Sequence, residues 1–209
     1  MSGSTHRRSR RPKQLELPLP DTWGGRRAGA GRKPAAIGRK NVEHRARAKH
    51  VGAHPLHVVL RCKLRSLRNE QVFPTVRRAL ARATRARSDF RILHFSVQAD
   101  HLHLIVEAGA QEALSRGMQG LAVRVTRAVN RLVFRRGALW SGRYYARALS
   151  SPRAVKHAVE YVLNNFRKHG EPVRGDRDPC SSAIYDVRRS DTREHLPISA
   201  PRTWLGRFT

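Results

Sequence analysis

Two cysteines, Cys62 and Cys180, are all that the 209-residue chain holds, and neither has a CxxC partner. That excludes a disulfide framework and a zinc knuckle as the basis of its fold. No apolar run approaches the roughly 18 residues that cross a bilayer, so no membrane partner is expected. The opening stretch, MSGSTHRRSRRPK, is basic with no apolar segment behind it, which does not read as a secretory signal. Acidic side chains are scarce: 15 Asp and Glu stand against 43 Lys and Arg, a formal charge of +28. Solubility does not require such an excess, and it attracts polyanions. Arginine dominates over lysine, and its guanidinium fork grips two phosphate oxygens at once where an ammonium cannot. The balance points to nucleic acid in a reducing compartment, hence to a cytoplasmic, nucleoid-associated protein.

Residues 1–50 carry 14 Lys and Arg, three acids and almost no large apolar side chain. Such a segment cannot offset its ordering entropy by burial, and a flexible basic arm is expected there. Order is expected from His54. A strand covers 55–62, and a helix follows over 71–86, with Val72, Val76, Leu80 and Ala83 at helical spacing. Strands at 90–98 and 101–107 are separated only by Ala99 and Asp100 and should pair as an antiparallel hairpin. A long helix over 111–135 shows an apolar stripe from Leu114 to Leu132 and a separate basic stripe of Arg124, Arg127, Arg131 and Arg135. After an extended segment from Leu139 to Leu149, Ser151 and Pro152 open a last helix that runs to Lys168 and stops at Gly170. Residues 176–209 are polar without a period and are expected to form a tail. This order predicts a small α+β domain over 51–175, an antiparallel sheet with helices packed on one face.

Three groups of residues suit chemistry. His101 and His103 sit two apart on a strand, so both imidazoles share a face and form a natural pair of metal ligands; a surface or hydrogen-bonded pair is the alternative. On the last helix, Val155, Val159, Val162 and Phe166 make the apolar stripe. Tyr161 is off it, one turn before Asn165, so a phenol and a carboxamide meet on one helix face. The third group is Trp140-Ser141-Gly142-Arg143-Tyr144-Tyr145-Ala146-Arg147, whose aromatics and arginines suit a surface that stacks unpaired bases and holds phosphates. Core packing is the better reading for Trp140.

In order and spacing, residues 54–170 resemble single-tyrosine HUH transposases, in particular the REP-associated tyrosine transposases related to insertion-sequence transposases. Gln98 through Val106 is similar to their His-hydrophobic-His strand, Tyr161 through Gly170 to their tyrosine helix, and Leu139 through Tyr145 to the segment before it. The resemblance implies a ferredoxin-like catalytic domain over 51–175 that cleaves and rejoins single-stranded or hairpin DNA through a 5′-phosphotyrosine link. It implies Tyr161 as nucleophile and His101, His103 and Asn165 as ligands of Mg²⁺ or Mn²⁺. Arg124, Arg127, Arg131, Arg143, Tyr144, Arg147 and Lys168 are then expected to hold DNA. Phe166 stands where the family often has proline, which leaves the helix unbroken. The contrasting reading is a domesticated DNA-binding or regulatory protein of the same fold without catalysis; monomer and homodimer both stay open.

Overall fold

Period-two alternation sets the central strand. β1 (Leu56–Arg61) buries Leu56, Val58 and Leu60, while His57, Val59 and Arg61 take the other face. The computed structural model describes residues 50–168, 175–185 and 196–209. The arm expected over 1–50 therefore lies, except for His50, outside the described residues, as does the helix stop at Gly170. β2 (Phe90–Val97) and β3 (His101–Ala108) form the expected hairpin, β3 pairs with β1, and β4 (Tyr145–Ala148) lines the far edge of β1. All pairings are antiparallel, in the order β2-β3-β1-β4. α1 (Val72–Arg85) links β1 to β2 and α2 (Gln111–Leu132) links β3 to β4, each crossover stepping over one strand. The chain thus adopts the α+β, ferredoxin-like arrangement.

The helices divide between two faces. Val76 and Leu80 of α1 and Leu114, Met118, Leu121, Val125 and Val129 of α2 pack on Leu56, Val58, Leu60, Leu102, Leu104 and Val106. α3 (Pro152–Lys168) instead presses Val155 and Val162 onto Leu93 and Ile105 from the opposite side. The expectation of helices on one face holds for α1 and α2 only. Alternation puts Leu93 on the face opposite Phe90 and Ile92, where it joins Ile105 and gives α3 an apolar seat. The register irregularity between Ile92 and His94 then returns Phe95 and Val97 to the main core.

The α2 layer sits tightly on the sheet. A Cβ added at Gly117 would collide with the Phe90 ring. Gly117→Ala is therefore expected to cost about 1–3 kcal/mol by overpacking, read as a fall in the urea midpoint at unchanged slope.

The polar tail expected over 176–209 is, in its described parts, woven into the domain. Arg68 donates two hydrogen bonds to the fully buried Asp178, at 2.9 and 2.8 Å. Val97 N–H donates to the Cys180 carbonyl, and Ser181 bridges to Ser96, covering the free edge of β2. Further on, the buried Glu107 carboxylate accepts from the backbone of Arg202 and Thr203 and from the Thr203 hydroxyl. Short side chains and single polar anchors give no hydrophobic period, which is why this docking left no signal in the sequence.

Candidate active site

The sheet face that carries α3 also carries the histidines. Residues 101, 103, 105 and 107 of β3 share it, so Ile105 seats α3 while His101 and His103 lie toward the strand's start. The His101 and His103 rings meet edge to face at 4.7 Å between centroids. His101 Nδ1 lies 2.6 Å from Asp100 Oδ1, and this bond holds the Asp100 carboxyl below its usual range. The carboxylate can only accept, so in the neutral imidazole the proton sits on Nδ1 and the lone pair on Nε2.

A third imidazole joins them. His57 lies on β1, where Val59 pairs with His103 and His57 with Ile105. Its Nε2 is 3.0 Å from His103 Nδ1, and the two rings stack at 5.2 Å. Burial, helped by the charge of Arg147, pushes the His57 pKa down to about 4. His57 is therefore neutral near pH 7 and able to accept a proton from His103 Nδ1. Sequence reasoning missed it. Its only signal was a histidine inside an apolar strand, and the register that brings it to His103 is set by strand pairing.

Tyr161 comes to this cluster from α3. Its ring stands edge-on to His103 at 5.4 Å and to His57 at 5.9 Å, yet the side chain is 40% exposed. Lys168 Nζ sits 5.5 Å from the centroid of the Tyr161 ring. Asn165, one turn on, is 1% exposed, and neither its amide nitrogen nor its amide oxygen has a hydrogen-bond partner. An amide buried in this way loses its hydration without return unless something else engages it. α3 runs through Phe166 without a break, as expected.

The residues expected to hold DNA fall into separate groups. Arg147 and Lys168 are exposed beside the histidine–tyrosine cluster. Arg143 is exposed in the bend before β4. Arg124, Arg127 and Arg131 lie across the sheet, where with Arg78 and Arg82 they line a cavity of about 510 Å³ between α1 and α2. Tyr144 is half-buried against the main core, whereas Tyr145 is 63% exposed. Alternation along the edge strand turns one inward and the other outward. Trp140 packs on the core and donates to the Ala122 carbonyl, as its reading required. Among the described residues no group of three His, Cys, Asp or Glu side chains is placed to hold a metal ion. A carboxamide falls outside that set of donors.

The model of a family described as Transposase IS200 like matches residues 50–165. Comparison with curated proteins gives no match. Among solved structures, a REP-associated tyrosine transposase bound to a REP hairpin superposes with a TM-score of 0.59 at 21% identity, covering 71% of this chain and 87% of that one. A protein of Deinococcus radiodurans R1 described as a candidate transposase gives 0.39 at 15% identity, over 67% of this chain and 100% of that one.

Proposed function

Because the chain belongs to the IS200-like transposase family, we propose that it cleaves and rejoins single-stranded or hairpin DNA with Tyr161 as nucleophile. The observation that carries this reading is the meeting of Tyr161 with His57 and His103, on the same helix as the partnerless amide of Asn165. The REP hairpin held by the structural neighbour supports a hairpin as substrate.

The Tyr161 oxygen forms the new bond to phosphorus as the bond from phosphorus to the 3′-oxygen breaks. The phenol proton passes, in net terms, to that leaving oxygen. The product is a 5′-phosphotyrosine whose bond energy supports rejoining without ATP. A phenol is a weak nucleophile near neutral pH. Lys168 beside the ring offers a cation to charge developing on the phenol oxygen, and Arg147 a second one for phosphate.

His101, His103 and Asn165 would hold Mg²⁺ or Mn²⁺. The fit rests on the buried, partnerless amide and on the hydrogen bonds that leave Nε2 of both imidazoles as the donor atom. A bound ion would polarise the scissile phosphate and offset charge on its oxygens. This neutral ligand set adds no negative charge beside an anionic substrate.

The test is cleavage of a hairpin DNA with a single-stranded tail. EDTA and His101→Ala are each expected to reduce turnover to background, with Mn²⁺ or Mg²⁺ rescuing the EDTA-treated protein alone. Undiminished cleavage in EDTA would rule out the metal role. Tight binding with no cleavage under any condition would favour a DNA-binding protein of the same fold.

A further inference from the structure

α2 ends in an apolar knuckle that neither core uses. Leu132, Val133 and Phe134 are all exposed, and Phe134 is 98% so. Phe134 also holds φ at 50°, the left-handed region that a bulky side chain rarely adopts. The surrounding turn fixes it there. Arg135 N–H donates to the Asn130 carbonyl at 2.8 Å, the Asn130 amide donates to the Gly137 carbonyl at 2.8 Å, and the Arg135 guanidinium donates to the Ala138 carbonyl at 3.1 Å. A strained aromatic pinned in full solvent contributes nothing visible to folding, which marks it as a place to look for a ligand.

Its surroundings name the ligand. Arg131 and Arg136 flank the knuckle, both exposed. Leu132 also lines the α1–α2 cavity, together with Arg78, Arg82, Arg124, Arg127 and Arg131. Topology sets this at a particular end of the sheet. β4 starts beside the Arg61 end of β1, and Arg61 pairs with His101. α2, which leaves the far end of β3, therefore returns to the histidine end before the chain enters β4.

We propose that Phe134 is a stacking platform for one unpaired base of a nucleic-acid strand whose phosphates lie along the arginines of the α1–α2 groove. The inference rests on the nucleic-acid reading above. A ring presents a flat π face to any base, and arginines beside it supply the phosphate contacts that hold the strand there. A second copy of the chain is the less suitable occupant. It would bring the same arginines and a formal charge of +28 against its own kind.

The experiment compares binding of a mixed-sequence single-stranded oligonucleotide with that of its blunt duplex. Phe134→Gly is the informative variant, since glycine removes the ring and relieves the left-handed strain, so the fold is retained. It is expected to weaken single-strand binding roughly five- to a hundredfold while duplex affinity stays unchanged, and Phe134→Trp should keep wild-type affinity. Wild-type single-strand affinity in Phe134→Gly overturns the platform alone. Failure of the wild-type protein to bind either form at low salt removes the nucleic-acid reading and the platform with it. A dimer that Phe134→Gly converts to monomer, with DNA affinity unaltered, overturns the platform in favour of self-contact.

Discussion

Tyr161→Phe is expected to lower covalent adduct formation with hairpin DNA by at least roughly a thousandfold, as loss of a nucleophile does, while DNA affinity stays within about twofold. The substitution removes one hydroxyl and keeps the ring. The edge-on contacts with His103 and His57 are therefore retained, and a side chain already 40% exposed loses no buried hydrogen bond. Stability should change by no more than about 0.5 kcal/mol. Gel-resolved adduct and fluorescence anisotropy separate the two effects. An adduct that persists in the Phe variant would shift attention first to Tyr145, the more exposed of the neighbouring pair, and then to the half-buried Tyr144.

Acid is expected to destabilise the domain in a defined window. His57 and His94 are both half-buried, and the loss of hydration lowers each pKa from 6.5 to about 4. A histidine depressed in this way binds a proton more readily in the unfolded chain. Its contribution is complete above pH 6.5 and is lost as pH falls from 6.5 towards 4. Between pH 7.5 and 5 each group withdraws up to about 2 kcal/mol, so together about 4 kcal/mol. Asp89 and Asp100 have carboxyls held below their usual range by Arg87 and His101 respectively. Their losses begin only near the ordinary carboxylate range, about pH 4, and do not enter this window. Urea denaturation at the two pH values measures the difference. Equal stability within about 0.5 kcal/mol would mean that neither imidazole is buried as neutral as its surroundings require.

Much of this molecule was legible because its strands and helices are strongly periodic. The apolar stripe of α2 and the alternation in β1 gave both elements, and the two-residue gap at Ala99 and Asp100 gave the hairpin. Tyr161 stood out by missing the stripe of Val155, Val162 and Phe166, and it is indeed exposed while those three are buried. Features that depend on pairing or on isolated polar anchors were not legible. His57 reaches His103 only through the β1–β3 register. The docking of Asp178 on Arg68 and of Glu107 on the 202–203 backbone uses single residues with no repeat to detect. The separation of the α2 arginines from the tyrosine face also follows from topology, since a helix's own pattern does not tell which side of the sheet it covers.

The central claim is the covalent chemistry of Tyr161. The most direct measurement incubates the full chain with hairpin DNA and Mn²⁺, digests protein and DNA, and maps the nucleotide-bearing peptide by mass spectrometry. The account predicts a 5′-phosphonucleotide on Tyr161, within the peptide that contains Tyr161 and Asn165, and none on Tyr144, Tyr145 or Tyr185. A nucleotide on another tyrosine, or strand cleavage with no protein–DNA link at all, would contradict it.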